Sequence, residues 1–327
     1  MRIAINGMGR IGRLVFRRLL EERDYEIVAV NDIMDTANLL YLVKYDSLYG
    51  PLQHEIMLDN GYFKTGNRKI KALQCTEPLQ MNWKEMDIDI VIECSGKFSN
   101  KAAAAKHLEA GAKKVLLSTT GSPDIPLLIY GFNHHRLTAD TTVISPGGCM
   151  TNCATHILYI LNSIGIESAQ LNILHSYTSR QELVDTAHSQ FRRGRAAAES
   201  MIPVEIDLAS SLERLLTPLA GRITAMSIRV PVTNGALADI TLQLKQSKTK
   251  EEINALFKIA AEIEYQGILD YTQDPIVSAD IKRNTHSCVI DGTLTAVSGN
   301  MVKIIAWFDN EYGYTSRILD WLKYINN

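Results

Sequence analysis

The stretch "INGMGRIG", residues 5–12, contains three glycines in a G-x-G-x-x-G arrangement. It follows the apolar run "RIAIN" and opens the segment "RIGRLVFRRLLEER", whose apolar residues recur with helical spacing. Between a strand and a helix, Gly7 permits a tight turn, Gly9 lets backbone approach a pyrophosphate, and Gly12 allows close packing of the helix. A glycine-rich turn without a ligand is the alternative. The position of the motif predicts a dinucleotide-binding unit.

An acidic residue, Asp32, follows the run "EIVAVN", about 20 residues beyond the glycines. A carboxylate at this point accepts hydrogen bonds from the adenosine ribose, whereas its charge repels a 2′-phosphate. We therefore expect NAD rather than NADP as the cofactor.

The first half of the chain alternates short apolar runs with helical patterns. The segment "SNKAAAAKHLEAGAKK" has helical spacing, with Ser99 or Asn100 as its N-cap. Such alternation predicts an α/β fold with a Rossmann-type, doubly wound parallel sheet. The expected strands are "RIAIN" at 2–6, "EIVAVN" at 26–31, "DIVIECS" at 89–95, "KVLLS" at 114–118 and "TVISP" at 142–146.

After Cys149 the apolar runs become longer and alternate with polar residues, as in half-exposed antiparallel strands. Besides a helix that begins at Cys149, two helices are expected in this half, "KTKEEINALFKIAAEIEY" at 248–265 and "EYGYTSRILDWLKYIN" at 311–326. The pattern predicts a second, α+β domain with a mainly antiparallel sheet. Its expected strands are "AQLNILHSYT", "RITAMSIRVP" and "ALADITLQLKQ".

The composition is that of an ordinary globular protein. The chain has 327 residues, with 34 basic and 36 acidic side chains, so charge favours neither nucleic acid nor an anionic membrane as a partner. The start "MRIAING" has no signal-peptide architecture, which favours a cytoplasmic location. Five scattered cysteines are expected to be free thiols.

The stretch "SPGGCMTNC" places Cys149 at the start of a predicted helix, where the helix dipole lowers a thiol's pKa. A thiolate adds to an aldehyde as a nucleophile, and His175, at the end of "NILHS", is the candidate base. Two other readings are a buried thiol beside a locally bonded histidine, and a metal site of Cys149, Cys153 and His156. The metal reading lacks a fourth ligand and paired C-x-x-C spacing, so no metal is expected.

The whole chain resembles phosphorylating glyceraldehyde-3-phosphate dehydrogenase and its relative erythrose-4-phosphate dehydrogenase. The resemblance implies an NAD-binding domain at 1–148, a catalytic domain at 149–310, a closing helix at 311–327 that packs back on the first domain, and a homotetramer. The motifs that carry it are "AINGMGRIGR", "VNDIMD", "LVKYDSLYG", "ECSGKF", "GAKKVLLS", "CMTNC", "HSYT", "RRGRAAAESMIP", "IRVPVTN", "DPIVSADI" and "WFDNEYGY".

The resemblance also assigns roles residue by residue. Cys149 matches the family's nucleophile and His175 its base. The positions that match NAD-contacting residues are Gly7, Arg10, Ile11, Asp32, Ser118 and Asn310, the last near the nicotinamide carboxamide. The positions that match substrate or phosphate contacts are Thr178, Arg193, Arg229 and Thr151, and arginine is suited to phosphate because it forms bidentate hydrogen bonds.

Several positions depart from the family pattern. Serine and threonine usually flank the nucleophile where this chain has Gly148 and Met150. Threonine and glycine usually stand at Ile206 and Asp207, where the attacking inorganic phosphate binds, and aspartate is usual at Arg180. Lost hydroxyls and an added carboxylate weaken anion binding. We therefore expect a weakened or rebuilt site for inorganic phosphate.

The function that follows is NAD-dependent oxidation of a phosphorylated aldehyde through a Cys149 thioester. Glyceraldehyde 3-phosphate is the default substrate, with release of the acyl group by phosphate. One alternative is an erythrose-4-phosphate dehydrogenase that releases the acid by water. The other is a degenerate paralogue that binds NAD without turnover.

Overall fold

The computed structural model describes residues 1–327, which form two compact units. The first comprises Met1–Gly148 together with Arg317–Asn327, and the second comprises Cys149–Ser316.

The first unit is built on an eight-stranded sheet in the order β3-β4-β5-β2-β1-β6-β7-β8. From β5 to β8 neighbouring strands are parallel, whereas β3, β4 and β5 pair antiparallel at one edge. The predicted doubly wound parallel sheet is confirmed. Its strands are β1 Arg2–Asn6, β2 Glu26–Asn31, β3 Met57–Asp59, β4 Tyr62–Thr65, β5 Arg68–Leu73, β6 Ile90–Glu93, β7 Lys114–Leu117 and β8 Val143–Ile144.

The central strands are continuous apolar runs because helices cover a parallel sheet on both faces. Ile3, Ala4 and Ile5 of β1 are completely buried. The antiparallel edge was not predicted, since its strands carry charged residues and little apolar alternation.

Two of the three helices of the first unit begin at a side-chain cap, whereas the first begins at Gly9 without one. The carboxylate of Asp35 accepts a hydrogen bond from the Asn38 amide, and the side chain of Asn100 accepts one from the Ala103 amide, which satisfies amides at the helix starts. Asn100, rather than Ser99, is therefore the cap of the third helix. The helices are α1 Arg10–Leu19, α2 Thr36–Lys44 and α3 Lys101–Glu109.

The second unit contains a sheet in the order β10-β11-β9-β12-β16-β14-β13, with β15 on β16. Most neighbouring pairs are antiparallel, as predicted. The strands are β9 Ile166–Ser176, β10 Ile202–Val204, β11 Ile223–Val230, β12 Ala236–Leu244, β13 Leu269–Thr272, β14 Cys288–Asp291, β15 Ala296–Ser298 and β16 Met301–Phe308.

Strands β9 and β11 are parallel, which differs from the antiparallel arrangement expected for both. A parallel pair needs a long crossover, and residues 177–222 between the two strands supply it. Alternation of apolar and polar residues indicates that one face of a strand is solvated, but it does not indicate in which direction the strand runs.

Three of the four remaining helices, α4 Cys149–Asn162, α6 Lys250–Glu262 and α7 Tyr312–Asn326, lie at predicted positions, whereas α5 Leu208–Leu215 was not predicted. At the start of α6, the Thr249 hydroxyl accepts from the Glu252 amide, while the Glu252 carboxylate accepts from the Thr249 amide, forming a capping box. No helix is both long and apolar enough to cross a membrane.

Candidate active site

The three glycines of the first loop differ in what their surroundings allow. Gly7 has a φ of +89°, and an added Cβ would lie 2.3 Å from the Ser95 nitrogen. At Gly12 a Cβ would lie 2.0 Å from the Gly7 carbonyl oxygen, so helix and loop require glycine there. At Gly9 a Cβ would meet no atom within 4 Å. The fold itself therefore demands two of the glycines, whereas Gly9 leaves open space at the start of α1, where amides attract an anion.

A buried carboxylate anchors this loop. Glu93 accepts hydrogen bonds from the Asn6 side chain at 2.5 Å and from the Ser95 amide at 2.7 Å. His107 lies 3.0 Å from the same carboxylate through Nε2, and its Nδ1 accepts from the Trp83 indole at 3.0 Å. This network fixes Asn6, which precedes Gly7 in the chain, and Ser95, which packs against Gly7. Sequence reasoning missed it because the partners come from three separate elements.

Asp32 faces the glycine loop. Its carboxylate accepts hydrogen bonds from the Met8 amide at 2.6 Å and from the Met34 amide at 3.0 Å. These bonds fix the carboxylate, and each oxygen retains a second lone pair for a ribose hydroxyl. The geometry fits a dinucleotide.

Arg10 and Ile11 are the first two residues of α1. The Arg10 guanidinium lies 2.6 Å from the Asp46 carboxylate. Although burial raises the pKa of Asp46, hydrogen bonds from Arg10 and from the Tyr49 amide outweigh it and lower that pKa below its usual value. The side chain of Arg10 is thus engaged, and its backbone amide is the group that the helix start offers to an anion.

Ser118 follows β7, at the carboxyl edge of the parallel sheet. Its amide donates to the Glu93 carbonyl at 2.9 Å, and its hydroxyl contacts the Cys94 thiol, whose pKa burial raises to about 12. Ligands of doubly wound sheets bind outside this edge, and the NAD contact that the resemblance implies for Ser118 stays a prediction.

The second unit brings together Cys149 and His175. Cys149 opens α4, and His175 lies near the end of β9. The Sγ atom of Cys149 is 3.9 Å from Nε2 of His175. His175 Nδ1 is 2.7 Å from the Ser176 carbonyl oxygen, to which it must donate. The lone pair of Nε2 therefore faces the thiol.

Burial keeps both groups neutral. It raises the pKa of Cys149 to about 11, although Arg229 and the amides of Met150 and Cys149 act in the opposite direction. The lowered thiol pKa expected from the helix start is therefore wrong, because burial outweighs the effect of the helix start. Burial, together with the charge of Arg229, lowers the pKa of His175 to about 3. At neutral pH the pair is a thiol facing an unprotonated imidazole, which is arranged to take the thiol proton as sulfur attacks.

Arg229 lies on the strand beside His175. In the parallel pairing of β9 with β11 the two residues are register partners. Arg229 is 7% exposed, and its Nε and Nη1 atoms have no hydrogen-bond partner. Burial lowers its pKa to about 10, and the nearby Arg193 and Arg180 act in the same direction. A buried cation with unused donors calls for an anionic ligand.

Further donors without acceptors come from the segment after β9. Thr178 donates to the Gln181 side-chain oxygen through its amide at 2.9 Å and its hydroxyl at 3.0 Å. The Nε2 atom of Gln181 and Nη1 of Arg193 are buried without a partner. Gln181 was not among the residues predicted from the sequence, because a glutamine one residue after an exposed arginine gives no signal of burial.

Asn310 lies in the turn after β16 and contacts Ser176, the residue after His175. Its side-chain oxygen accepts from the Gly235 amide at 3.0 Å and from the Ser176 hydroxyl at 3.2 Å. These bonds fix the orientation of the Asn310 side chain, so that its amide nitrogen can donate a hydrogen bond to a ligand. Thr151, in the first turn of α4, is buried, and its carbonyl accepts from the Thr155 hydroxyl.

The three residues of the metal reading do not converge. No group of three or more histidine, cysteine, aspartate or glutamate side chains is arranged to hold a metal ion. Cys153 is buried and contacts the Cys288 thiol; burial and that neighbour raise its pKa well above its usual value. His156 packs on Tyr265, with ring centroids 5.0 Å apart. All five cysteines are free thiols.

The positions that depart from the family pattern present few donors. Ile206 is half-buried, and the exposed Asp207 precedes α5 without a capping hydrogen bond from its side chain. A Cβ at Gly148 would meet no atom within 4 Å, so the missing serine side chain is not excluded by packing.

Comparison with known proteins covers nearly the full chain. Residues 1–101 match the family model described as the glyceraldehyde 3-phosphate dehydrogenase NAD binding domain, and residues 148–310 match the model of its C-terminal domain. Glyceraldehyde-3-phosphate dehydrogenase 2 of Bacillus subtilis (strain 168) is 39% identical, over 99% of this chain and 96% of its own length. The enzyme of Borreliella burgdorferi is 41% identical over 98% of both chains.

The NAD-binding fold and the family matches define an NAD-dependent oxidoreductase. The chain belongs to the glyceraldehyde-3-phosphate dehydrogenase family. The resemblance inferred from the sequence motifs is thereby confirmed, as is NAD as the cofactor.

Proposed function

We propose that this protein oxidises glyceraldehyde 3-phosphate with NAD through a thioester on Cys149. The observation that carries the proposal is the 3.9 Å approach of Cys149 Sγ to His175 Nε2, beside a buried arginine with unused donors. The relatives at about 40% identity bear the name glyceraldehyde-3-phosphate dehydrogenase. The two units then correspond to the predicted NAD-binding and catalytic domains.

In this proposal Cys149 and His175 carry the chemistry. The sulfur attacks the aldehyde carbon while His175 Nε2 takes the thiol proton and returns it to the carbonyl oxygen, giving a thiohemiacetal. His175 then removes the hydroxyl proton as hydride leaves the same carbon, and a thioester remains. NAD, when bound, supplies the hydride acceptor.

The phosphate of the substrate is bound by Arg229 and Arg193, which have donors without acceptors, and by Thr178, whose hydroxyl donates to Gln181 in the single chain. Arg229, Arg193 and Thr178 are the residues that the resemblance assigns, and Gln181 joins them because its buried Nε2 has no partner. Thr151, in the first turn of α4, is assigned to the same phosphate site by the resemblance. A phosphate dianion satisfies several of these donors at once through charge-assisted hydrogen bonds.

For NAD, we propose contacts from the glycine loop, the start of α1, Asp32 and Ser118, with Asn310 donating to the nicotinamide carboxamide. The open space at Gly9 and the fixed carboxylate of Asp32 support this assignment.

Release of the acyl group by inorganic phosphate is the default, and water is the second candidate acceptor. The second candidate is favoured by Ile206 and Asp207, which offer an apolar side chain and a negative charge where the family has a hydroxyl and a glycine. An enzyme of this kind would act as an erythrose-4-phosphate dehydrogenase.

We further propose a cytoplasmic homotetramer. Several large apolar side chains of the segment after β9 are exposed in the single chain, which fits burial against a second copy. These are Leu183, Val184, Phe191 and Met201. A stable monomer in multi-angle light scattering would contradict the assembly.

The experiment is NADH formation with glyceraldehyde 3-phosphate, with and without inorganic phosphate, and with erythrose 4-phosphate in parallel. Phosphate-dependent turnover of the triose supports the default. Phosphate-independent turnover that is faster with the tetrose supports the water-releasing enzyme. No NADH from either substrate, while NAD still binds in calorimetry, identifies a degenerate paralogue and refutes the proposed activity.

A further inference from the structure

We propose that Arg180 is a third phosphoryl-binding guanidinium of this site, acting with Arg193 and Arg229. The inference rests on the proposed function and deepens it. The family resemblance assigns no such role to this position, where aspartate is usual, so the property would be specific to this chain.

Backbone geometry ties Arg180 to the donors already described. Its amide donates to the Thr178 hydroxyl at 3.3 Å, within the turn closed by Thr178 and Gln181. Two residues after Arg180, the Glu182 amide donates to the Arg193 carbonyl at 3.2 Å. Arg180 therefore extends from the segment that joins the Thr178 turn to Arg193.

The three guanidinium groups have no carboxylate partner. None of Arg180, Arg193 and Arg229 makes an ion pair, whereas the neighbouring Arg195 pairs with Asp185 at 2.9 Å. The only side-chain hydrogen bond of Arg193 goes to the Gln190 amide oxygen, which is neutral. The positive charge of the cluster is thus left for a ligand.

The charges of the cluster act on one another. Besides burial, the charge of Arg180 lowers the pKa of both Arg193 and Arg229. Neighbouring positive charges repel one another, and this repulsion costs free energy unless an anion binds between them. An aspartate at position 180 would have neutralised part of this charge; arginine instead adds donors.

Arg180 also differs from the two buried arginines in being exposed, so its side chain can swing to a ligand that enters from solvent. A flexible cation compensates for hydroxyl donors that are absent at Gly148, Met150 and Ile206. The ligand class is a phosphoryl dianion, supplied either by the phosphorylated aldehyde or by inorganic phosphate.

The test compares Arg180→Ala and Arg180→Lys with the control Arg222→Ala. Arg222 is exposed and precedes the opposite end of the strand that carries Arg229. Calorimetry with inorganic phosphate measures binding on the NAD-loaded enzyme, and steady-state kinetics give KM for the phosphorylated aldehyde and kcat/KM for unphosphorylated D-glyceraldehyde. Arg180→Ala is expected to weaken phosphoryl binding about tenfold, as for loss of one charge-assisted hydrogen bond. Arg180→Lys should recover most of that loss.

The two arms identify the source of the phosphoryl group. A rise confined to the KM of the phosphorylated aldehyde assigns Arg180 to the substrate phosphate, and weakening confined to inorganic phosphate assigns it to the acyl acceptor. Arg180→Ala values equal to those of Arg222→Ala in both arms overturn the proposal, as does an equal loss with D-glyceraldehyde. If the wild-type enzyme oxidises no aldehyde, the proposed function fails, while the calorimetric comparison still decides the role of Arg180.

Discussion

The Nε2 atom of His175 lies 3.9 Å from the Sγ atom of Cys149, with the Nδ1 side of the ring held by the Ser176 carbonyl. The imidazole can therefore approach the thiol only as a proton acceptor. This geometry predicts how replacement of either side chain affects the reaction.

Replacement of Cys149 by serine should abolish acyl-enzyme formation. A serine hydroxyl is a far weaker nucleophile than a thiol at this position, so NADH formation is expected to fall by about 10³-fold or more. Intact-mass spectrometry after incubation with substrate and NAD should show an acyl adduct on the wild type alone. Cys153→Ser is the matched control, since that thiol is buried and hydrogen-bonded to the Cys288 thiol; an adduct that persists in Cys149→Ser would refute the role.

Replacement of His175 by asparagine should lower kcat by about 10²- to 10⁴-fold, because the proton acceptor is lost while the nucleophile remains. Single-turnover kinetics separate this chemical step from substrate binding. The variant should still bind NAD with the wild-type affinity. An unchanged kcat would show that another group takes the proton.

The same histidine predicts acid lability. Its pKa of about 3 in the folded protein lies below the ordinary 6.5, so the unfolded chain binds an extra proton between these values. Stability contributed by the neutral form is present above about pH 6.5 and is lost as the pH falls toward 3. Thermal unfolding from pH 7 to pH 4 should show a steeper loss for the wild type than for His175→Asn, and equal slopes would contradict the burial-driven shift.

The glycine loop offers a matched pair. Gly7→Ala should lower the melting temperature, because a Cβ there lies 2.3 Å from the Ser95 nitrogen at a φ of +89°. Gly9→Ala meets no atom within 4 Å, so it should leave the melting temperature unchanged while weakening NAD binding by about tenfold through contact with the pyrophosphate. Calorimetry with NAD distinguishes the two variants. Full NAD affinity in Gly9→Ala would show that the loop does not contact NAD.

Replacement of Asp32 by asparagine keeps an oxygen to accept from the Met8 amide but removes the negative charge. The ratio of kcat/KM for NAD to that for NADP is therefore expected to fall by about tenfold or more. An unchanged ratio would contradict a ribose contact. Asp35→Asn, at a helix cap outside the loop, is the control.

Local patterns determined much of the fold. Continuous apolar runs between helical segments predicted the parallel sheet, and the order strand, glycine turn, helix predicted the nucleotide loop, because each signal depends on neighbours within about ten residues. The same residues could not reveal that β9 and β11 run parallel, since alternation along a strand is the same in either direction.

The sequence by itself determined the residue types of the candidate site and, through its motifs, the family. Only the tertiary structure decided which of those residues meet. Cys149 opens a helix, His175 ends a strand, and Arg229 reaches the same place because β11 pairs in register with β9. The buried, partnerless donors of Arg229 and Gln181 were likewise beyond the sequence, because burial and hydrogen-bond partners arise from chain segments far apart that are brought together only by packing.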